Sequence, residues 1–454
     1  MTGVHHTRIC IVGAGAGGLA AGYYLKQRGY RHVTVLEKTE RIGGLCDSFT
    51  WDGKGFDLGG NYVLPSFTHV RDIAKRIGAP MVVGPTRRVW DHRLKGGQGG
   101  FRSPLSAVLD GTTLPAFAVA ALKYLWLLFR YRRPLSVEGF RGISAYPDLC
   151  RPFAEFVAAH GLQAVRKLFL IPISIMGYGS PGIRGQTNPA HPDYLDQIAT
   201  AYVLKYVTAS VFLVLLLVGA GLPVRWPKRF ADGYQRFWER VAWGLEVHCG
   251  IDILEVRRGD SVQVRYRRRI RAGESEPVTE EFDALLIACP LGAALEFLDA
   301  TDEEKRLYGT VQFNQYCVTT AVTDHMQDHI VDVIPLTPFG HPWAMVKQWP
   351  QSNLCVYYTP VDHTVSEDDV KAYVAEGITR VGGTLIQFSH HKRWEYFPHV
   401  AAAQMADGFY DKLEALQGQR RTFLLGGAMA FELAERAAGY SQALVERFFP
   451  VMPS

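Results

Sequence analysis

The 454-residue chain is too long for one ordinary core and predicts two or three domains. Hydrophobic residues at 48% and charged residues at 20% give a soluble globular composition, with 12% aromatics to bury. A net charge of +5 without long basic runs excludes nucleic acid as the expected partner. Cys10, Cys46, Cys150, Cys249, Cys289, Cys317 and Cys355 are scattered without a C-x-x-C pair, which argues against a disulfide framework or a zinc motif. MTGVHHTR at the start carries no apolar segment of the secretory kind, so the expected compartment is the cytoplasm.

Arg8 to Val12 is a short apolar run rich in β-branched residues, followed at once by Gly13-Ala14-Gly15-Ala16-Gly17-Gly18. Strand, glycine turn and helix are expected in that order. Gly13 permits the turn, Gly15 lets the backbone approach a pyrophosphate, and Gly17 and Gly18 keep the helix start close to the strand. A second strand, His32 to Leu36, ends at Glu37, nineteen residues past Gly18. Its carboxylate suits ribose hydroxyls and disfavours an added 2′-phosphate, with Lys38 beside it as a further candidate contact. These residues predict a dinucleotide site.

Further along, Tyr206 to Val224 is uncharged and nearly long enough to cross a bilayer, although Gly219, Gly221 and Pro223 interrupt its end. A buried or tunnel-lining helix is the preferred reading, with a surface that dips into a membrane second and a true span third. Ala116 to Phe129 is also apolar, broken by Lys123 and followed by Arg130, Arg132 and Arg133, a layout that fits a core helix or a rest on anionic lipid. Gln315 to Ala321 and Asn353 to Thr359 read as strands. His390, His391 and His399 cluster in sequence but match no zinc spacing, and no metal site is assigned.

Arg41-Ile42-Gly43-Gly44 resembles the R-x-G-G element of the flavin amine oxidase and phytoene desaturase type of flavoprotein. Lys54 to Gly60 resembles that family's next segment, so the resemblance implies FAD, with Arg41, Gly43 and Gly44 near the phosphates and Gly59, Gly60 and Asn61 beside the flavin. Ala231-Asp232-Gly233-Tyr234 with Val247 to Val256 resembles the part that meets the adenine, near Ile251. Thr422 to Gly427 then leads to a helix expected from about Ser441 to Phe449, with Gly426 and Gly427 in contact with the cofactor. Gly427 departs from the family pattern, because many relatives carry an acid there for the ribityl chain.

Within this superfamily the chain is similar to bacterial polyunsaturated fatty acid isomerases that form conjugated linoleic acid. The resemblance rests on Val63 to Ser66, Arg87-Arg88, Met176-Gly177-Tyr178-Gly179, Tyr202 to Tyr206, Tyr396 to Val400 and the tail from Gly408 to Phe449. It spans most of the chain outside a differing central region. It implies a hydride taken from the substrate by the flavin and returned to another carbon, with no catalytic acid or base assigned. It places Arg88 at the fatty acid carboxylate, and Met176 and, less securely in register, Leu215 where the isomerase has aromatic lipid contacts. Tyr178 is a candidate polar group near the flavin.

The expected fold is α/β: a discontinuous Rossmann-type FAD domain (residues 1–95, 228–310 and 415–454), a helical cap (96–227) and a mixed α+β substrate domain (311–414). The expected function is isomerisation of a polyunsaturated free fatty acid. Alternatives are an FAD-dependent oxidase, desaturase or dehydrogenase of a lipid, carotenoid or amine, and a flavin-containing lipid carrier. Peripheral membrane contact and oligomeric state are left open.

Overall fold

The computed structural model describes residues 7–178, 197–220, 222, 227–270, 273–334 and 340–452. At its centre β1 (Arg8–Val12) pairs in parallel with β2 (His32–Leu36) and, on the other side, with a strand from residues 284–287. All of these residues except Arg8 and His32 are buried, as a sheet covered on both faces requires.

The later chain returns to this sheet repeatedly. A hairpin of β3 (Ser48–Trp51) and β4 (Lys54–Asp57) leaves the sheet, and β5 (Met81–Val83) pairs with β8 (Lys228–Phe230). Two further strands, β6 (Thr86–Asp91) and β7 (Gly100–Arg102), lie between these in sequence. β9 (Glu246–His248) then adds to β2, β14 (Ala284–Ile287) to β1, and β20 (Thr422–Leu424) to β14, giving the order β20-β14-β1-β2-β9. Three separated stretches thus build one parallel sheet. β10 (Ile251–Arg258), β11 (Val262–Ile270), β12 (Gly273–Glu274) and β13 (Val278–Phe282) form an antiparallel satellite.

The expected strand from Val247 to Val256 is two strands, β9 and β10. Gly250 separates them with φ +70°, and a Cβ there would lie 2.5 Å from a Glu40 carboxylate oxygen.

A second sheet runs β19 (Thr384–His399), β15 (Gln312–Asp324), β18 (Leu354–Val361), β17 (Ala344–Val346), β16 (His329–Ile334), β6 and β7. The two strands anticipated at 315–321 and 353–359 are its neighbours β15 and β18. The division at residue 95 differs from what is observed: β6 and β7 join this second sheet, β6 pairing in parallel with β16 from Thr86 to Asp91. Val89 and Trp90 are buried by that pairing, so the strand cannot stay with the cofactor domain that precedes it.

The intervening segment is helical. α1 (Ala16–Gln27) covers the Rossmann sheet, α2 (Leu114–Arg130) and α3 (Ala209–Gly219) belong to the cap, α4 (Glu367–Arg380) packs on the second sheet, and α5 (Ala434–Phe448) lies against α1. α2 and α3 meet through Tyr124, whose ring lies 4.7 Å from that of Phe212 and whose hydroxyl donates to Val207 O at 2.6 Å.

α5 begins seven residues before the anticipated Ser441. Gly439 does not stop it: a Cβ there would come within 2.8 Å of His69 Nε2 and 2.9 Å of the Glu138 carboxyl, so glycine serves close packing. Its first turn is useful in another way. Glu435 accepts from the His69 and Val70 backbone amides at 3.0 and 2.9 Å, satisfying donors that the helix Thr68–Arg76 leaves unpaired at its start.

No single helix among the described residues is long and apolar enough to cross a membrane. Thr200–Tyr206 and Ala209–Val218 pass that test only together and are bent by 68°. Gly179, Gly221, Pro223 and Val224, named in the sequence reading, lie outside the described residues.

Candidate cofactor and substrate site

The glycine turn after β1 meets three other segments. Gly13 has φ +105°, and a Cβ on it would stand 3.1 Å from the Ala288 and Cys289 backbone. On Gly18 a Cβ would collide with Gly13 O at 2.0 Å, and on Gly17 it would press on Gly426 Cα at 3.0 Å. These three positions need glycine for the protein's own packing. Gly15 does not: a Cβ there would meet only Gly44 Cα at 3.8 Å, an ordinary contact. The bare backbone at Gly15, at the start of a helix with no side-chain cap, is therefore what an approaching pyrophosphate requires.

Gly43 and Gly44 complete the cradle. Gly43 N donates to Ala14 O at 2.8 Å, and both glycines have positive φ, at +107° and +57°. Arg41 is held over them, donating to Gly44 O at 2.7 Å and lying 3.4 Å from Asp47. Glu37 closes the other edge. One of its carboxylate oxygens accepts from Ala14 N at 2.7 Å and the other from the Thr39 amide and hydroxyl at 2.8 Å. Ile251 is buried and its amide donates to Glu37 O at 2.9 Å, which ties the satellite sheet to this edge. Lys38 is exposed at the outer rim, with its carbonyl accepting from Arg269.

Gly427 has a neighbour that its sequence position concealed. A Cβ at Gly427 would lie 2.3 Å from Glu432 Oε2 and 2.8 Å from its carboxyl carbon. The carboxylate of Glu432 thus fills the place an acidic side chain at 427 would use. It has no hydrogen-bond partner among the described residues, and burial pushes it up to about 7. Glu432 was missed in sequence because only the turn after Gly426, whose φ is +82°, folds it back.

Beyond Gly59 and Gly60 opens a pocket of about 70 Å³ that is partly open to solvent. Leu45, Met176, Val318, Ala344 and Val346 give it apolar walls, with Tyr62, Tyr316, Tyr358, Trp394 and Tyr396 around them. Asn61 donates to the Tyr358 hydroxyl at 2.5 Å, and Trp394 Nε1 donates to Leu58 O at 2.8 Å, fixing the segment beside Gly59. Tyr396 donates to Tyr178 at 2.8 Å, and Tyr178 in turn donates to the backbone carbonyl of Glu432. Burial raises the Tyr178, Tyr316, Tyr358 and Tyr396 phenols well above their ordinary value.

The two arginines part company here. Strand alternation puts Arg87 on the cavity wall, where it donates to the fully buried Asp332 at 2.6 Å. Arg88 is exposed on the opposite face, its guanidinium 5.9 Å from the Phe101 ring, and it does not line the cavity. Met176 lines the cavity; Leu215 is half-buried on α3 against the main core and is not part of the wall. The histidines do not converge on the site: His390 stacks on Phe49 at 4.0 Å, His391 contacts Thr319, and His399 packs on Phe397.

Residues 11–77 match the NAD(P)-binding Rossmann-like domain family. Over its whole length the chain is similar in structure to the CLA-producing fatty acid isomerase from P. acnes, with TM-score 0.83, 27% identity, and 98% and 99% of the two chains covered. The chain takes its place in the flavin amine oxidase superfamily. A putrescine oxidase shares the fold at TM-score 0.69 and 16% identity over 96% and 97% of the two chains. Beta-cyclopiazonate dehydrogenase of Aspergillus flavus is 24% identical over 97% of this chain and 92% of its own. The cofactor is FAD, and the superfamily's oxidoreductase type of chemistry accompanies it. The residues present suit that cofactor: the bare Gly15 backbone would admit the pyrophosphate, Glu37 would receive ribose hydroxyls, and Glu432, without a side-chain partner among the described residues, would be free to accept a further hydroxyl.

Proposed function

We propose that the protein moves a double bond in a polyunsaturated free fatty acid, using bound FAD. The observation that carries this reading is the likeness to the fatty acid isomerase across nearly the whole of both chains, together with a cavity walled mainly by aliphatic and aromatic side chains. FAD supplies an acceptor and donor of hydride at a site adjoining that cavity.

The chain's own part is positioning and exclusion. A Cβ on Gly59 would stand 1.8 Å from the Leu45 carbonyl oxygen, so only glycine lets the wall segment pack this closely. Val318, Ala344 and Val346 offer a methyl-lined surface to an alkenyl chain, and Met176 adapts to its bends. Tyr396 donates to Tyr178, Tyr178 to backbone, and Tyr358 accepts from Asn61, so these neutral tyrosines line the site without removing a proton. Arg88 is the proposed carboxylate contact at the outer surface, and Arg87 is the guanidinium on the cavity wall.

The test uses linoleic acid deuterated at the methylene between its double bonds. Isomerisation predicts product that retains the label without sustained oxygen uptake. Stoichiometric peroxide release or electron transfer to a quinone instead would establish a net oxidase or dehydrogenase, the reading favoured by the similarity to beta-cyclopiazonate dehydrogenase.

A further inference from the structure

α2 presents to solvent a face that an ordinary surface helix would fill with charge. Leu114, Val119, Leu122, Leu125, Trp126 and Phe129 are exposed, from 37% at Leu125 to 67% at Leu122. Pro115, Ala116 and Ala118 lie exposed between them. Their spacing follows successive turns, so they form a stripe along a 17-residue helix about 25 Å long. The buried side of the same helix is already satisfied by Phe117, Tyr124, Leu127 and Leu128. Leu213 on the adjoining α3 and Leu222 beyond it add two more exposed leucines.

The charges carried by this stretch of sequence have one sign, and Asp148, an acid from outside it that meets the helix's C-terminal end through the Tyr131 hydroxyl, is paired with Arg151. Between Asp110 and Glu138 the sequence contains no acidic residue, while Lys123, Arg130, Arg132 and Arg133 are all present and exposed. Arg132 lies 4.2 Å over the Phe129 ring and Arg130 5.7 Å from the Trp126 ring, so the cations sit at the margin of the apolar stripe with their stems along it. An aromatic and aliphatic face with arginines at its border is the pattern of a helix lying in the plane of a lipid interface.

We propose that α2 docks the protein on an anionic lipid bilayer, with Leu122, Trp126 and Phe129 among the acyl chains and Arg130, Arg132 and Arg133 at the phosphates. The exposure and charge of this face do not depend on whether the substrate is a fatty acid. A second copy of the chain would cover the apolar stripe equally well, but it would set four cations against four cations around a two-fold axis, whereas an anionic surface neutralises them.

Flotation of the FAD-loaded protein with vesicles of phosphatidylglycerol and phosphatidylcholine tests this. Binding is expected to the mixed vesicles, at least about tenfold weaker to phosphatidylcholine alone, and to fall as salt rises. L122S/W126S/F129S should abolish it while flavin content and thermal unfolding stay unchanged; R130Q/R132Q/R133Q should remove the preference for anionic lipid. Failure of the wild type to float, or a triple serine variant that floats as before, overturns the proposal. So does sedimentation showing a wild-type dimer that the serine variant converts to monomer without any vesicle binding.

Discussion

Glu432 and Gly427 offer a prediction in which one carboxylate can be moved between two positions. Glu432→Ala removes the unpaired carboxylate that occupies the space beside Gly427. A hydrogen bond to a charged group contributes about 1.5–3 kcal/mol, which corresponds to a roughly 10- to 150-fold weaker Kd for FAD. Gly427→Asp in the wild-type background should also weaken binding, because its Cβ would sit 2.3 Å from Glu432 Oε2 and must displace that side chain. Combined, the two substitutions should restore affinity to within a few-fold, since the added acid then has both the space and the role. The assay is titration of cofactor-free protein with FAD, followed by quenching of flavin fluorescence. It is run near pH 8, because burial pushes the Glu432 carboxyl up to about 7. Wild-type affinity should decline as the pH falls through that value, and that of Glu432→Ala should not. An unchanged Kd for Glu432→Ala, or a double variant worse than either single one, refutes the exchange.

Other outcomes follow from the same structure. Arg88→Ala should lower the preference for free acid over methyl ester if the carboxylate rests at the outer surface, whereas an effect confined to Arg87→Met places it on the cavity wall; KM values for acid and ester decide. Arg258→Met should destabilise the fold by about 3–5 kcal/mol in urea unfolding, since it removes the wholly buried guanidinium that pairs with buried Glu304, whereas Asp299 keeps Arg420; a loss under about 1 kcal/mol contradicts this. Burial lowers the His399 imidazole to about 4 from an ordinary value near 6.5. The unfolded chain then binds more protons between those values, so this contribution is present above about pH 6.5 and is lost toward pH 4, amounting to roughly 3 kcal/mol. His399→Asn should flatten the urea midpoint over that window, and an unchanged slope would show another group to be responsible.

The cofactor cradle was legible because each of its parts is local. Gly13 to Gly18 and Glu37 announce themselves by spacing within one βαβ unit, Arg41 to Gly44 only by resemblance to a flavoprotein element, and β1 and β2 lie where their apolar runs stand. What was not legible depends on turns between distant segments. Arg87 and Arg88 are adjacent in sequence, and only the pairing of β6 with β16 decides which of them faces the cavity. Glu432 reaches the position of residue 427 because Gly426 adopts a positive φ, a conformation with no periodic signature. Trp394 and Tyr396 are two residues apart on one face of β19 and line the same wall, but which face is inward follows from the register with β15. The start of α5 was obscured for a related reason: Gly439 reads as a helix breaker and is in fact a point of contact with His69 and Glu138.

The arrangement of charge behind the cavity bears on which substrate the fold is built to accept. An amine enters such a site as a cation and needs a carboxylate to receive it or a base to discharge it. Asp332 is the acid behind this wall, but Arg87 engages it at 2.6 Å and is interposed on the cavity side. The pair presents a guanidinium inward, which repels an ammonium group and tolerates an anionic or neutral one. The tyrosines cannot serve as bases, because burial holds their phenols protonated well beyond neutral pH. These side chains suit the proposed substrate, which requires no deprotonation and carries its polar group at one end. Arg87→Met would invert that preference by releasing Asp332, so gain of amine binding in that variant, seen as a perturbed flavin absorbance spectrum on adding a long-chain amine, tests whether Arg87 is what excludes amines from the shared fold.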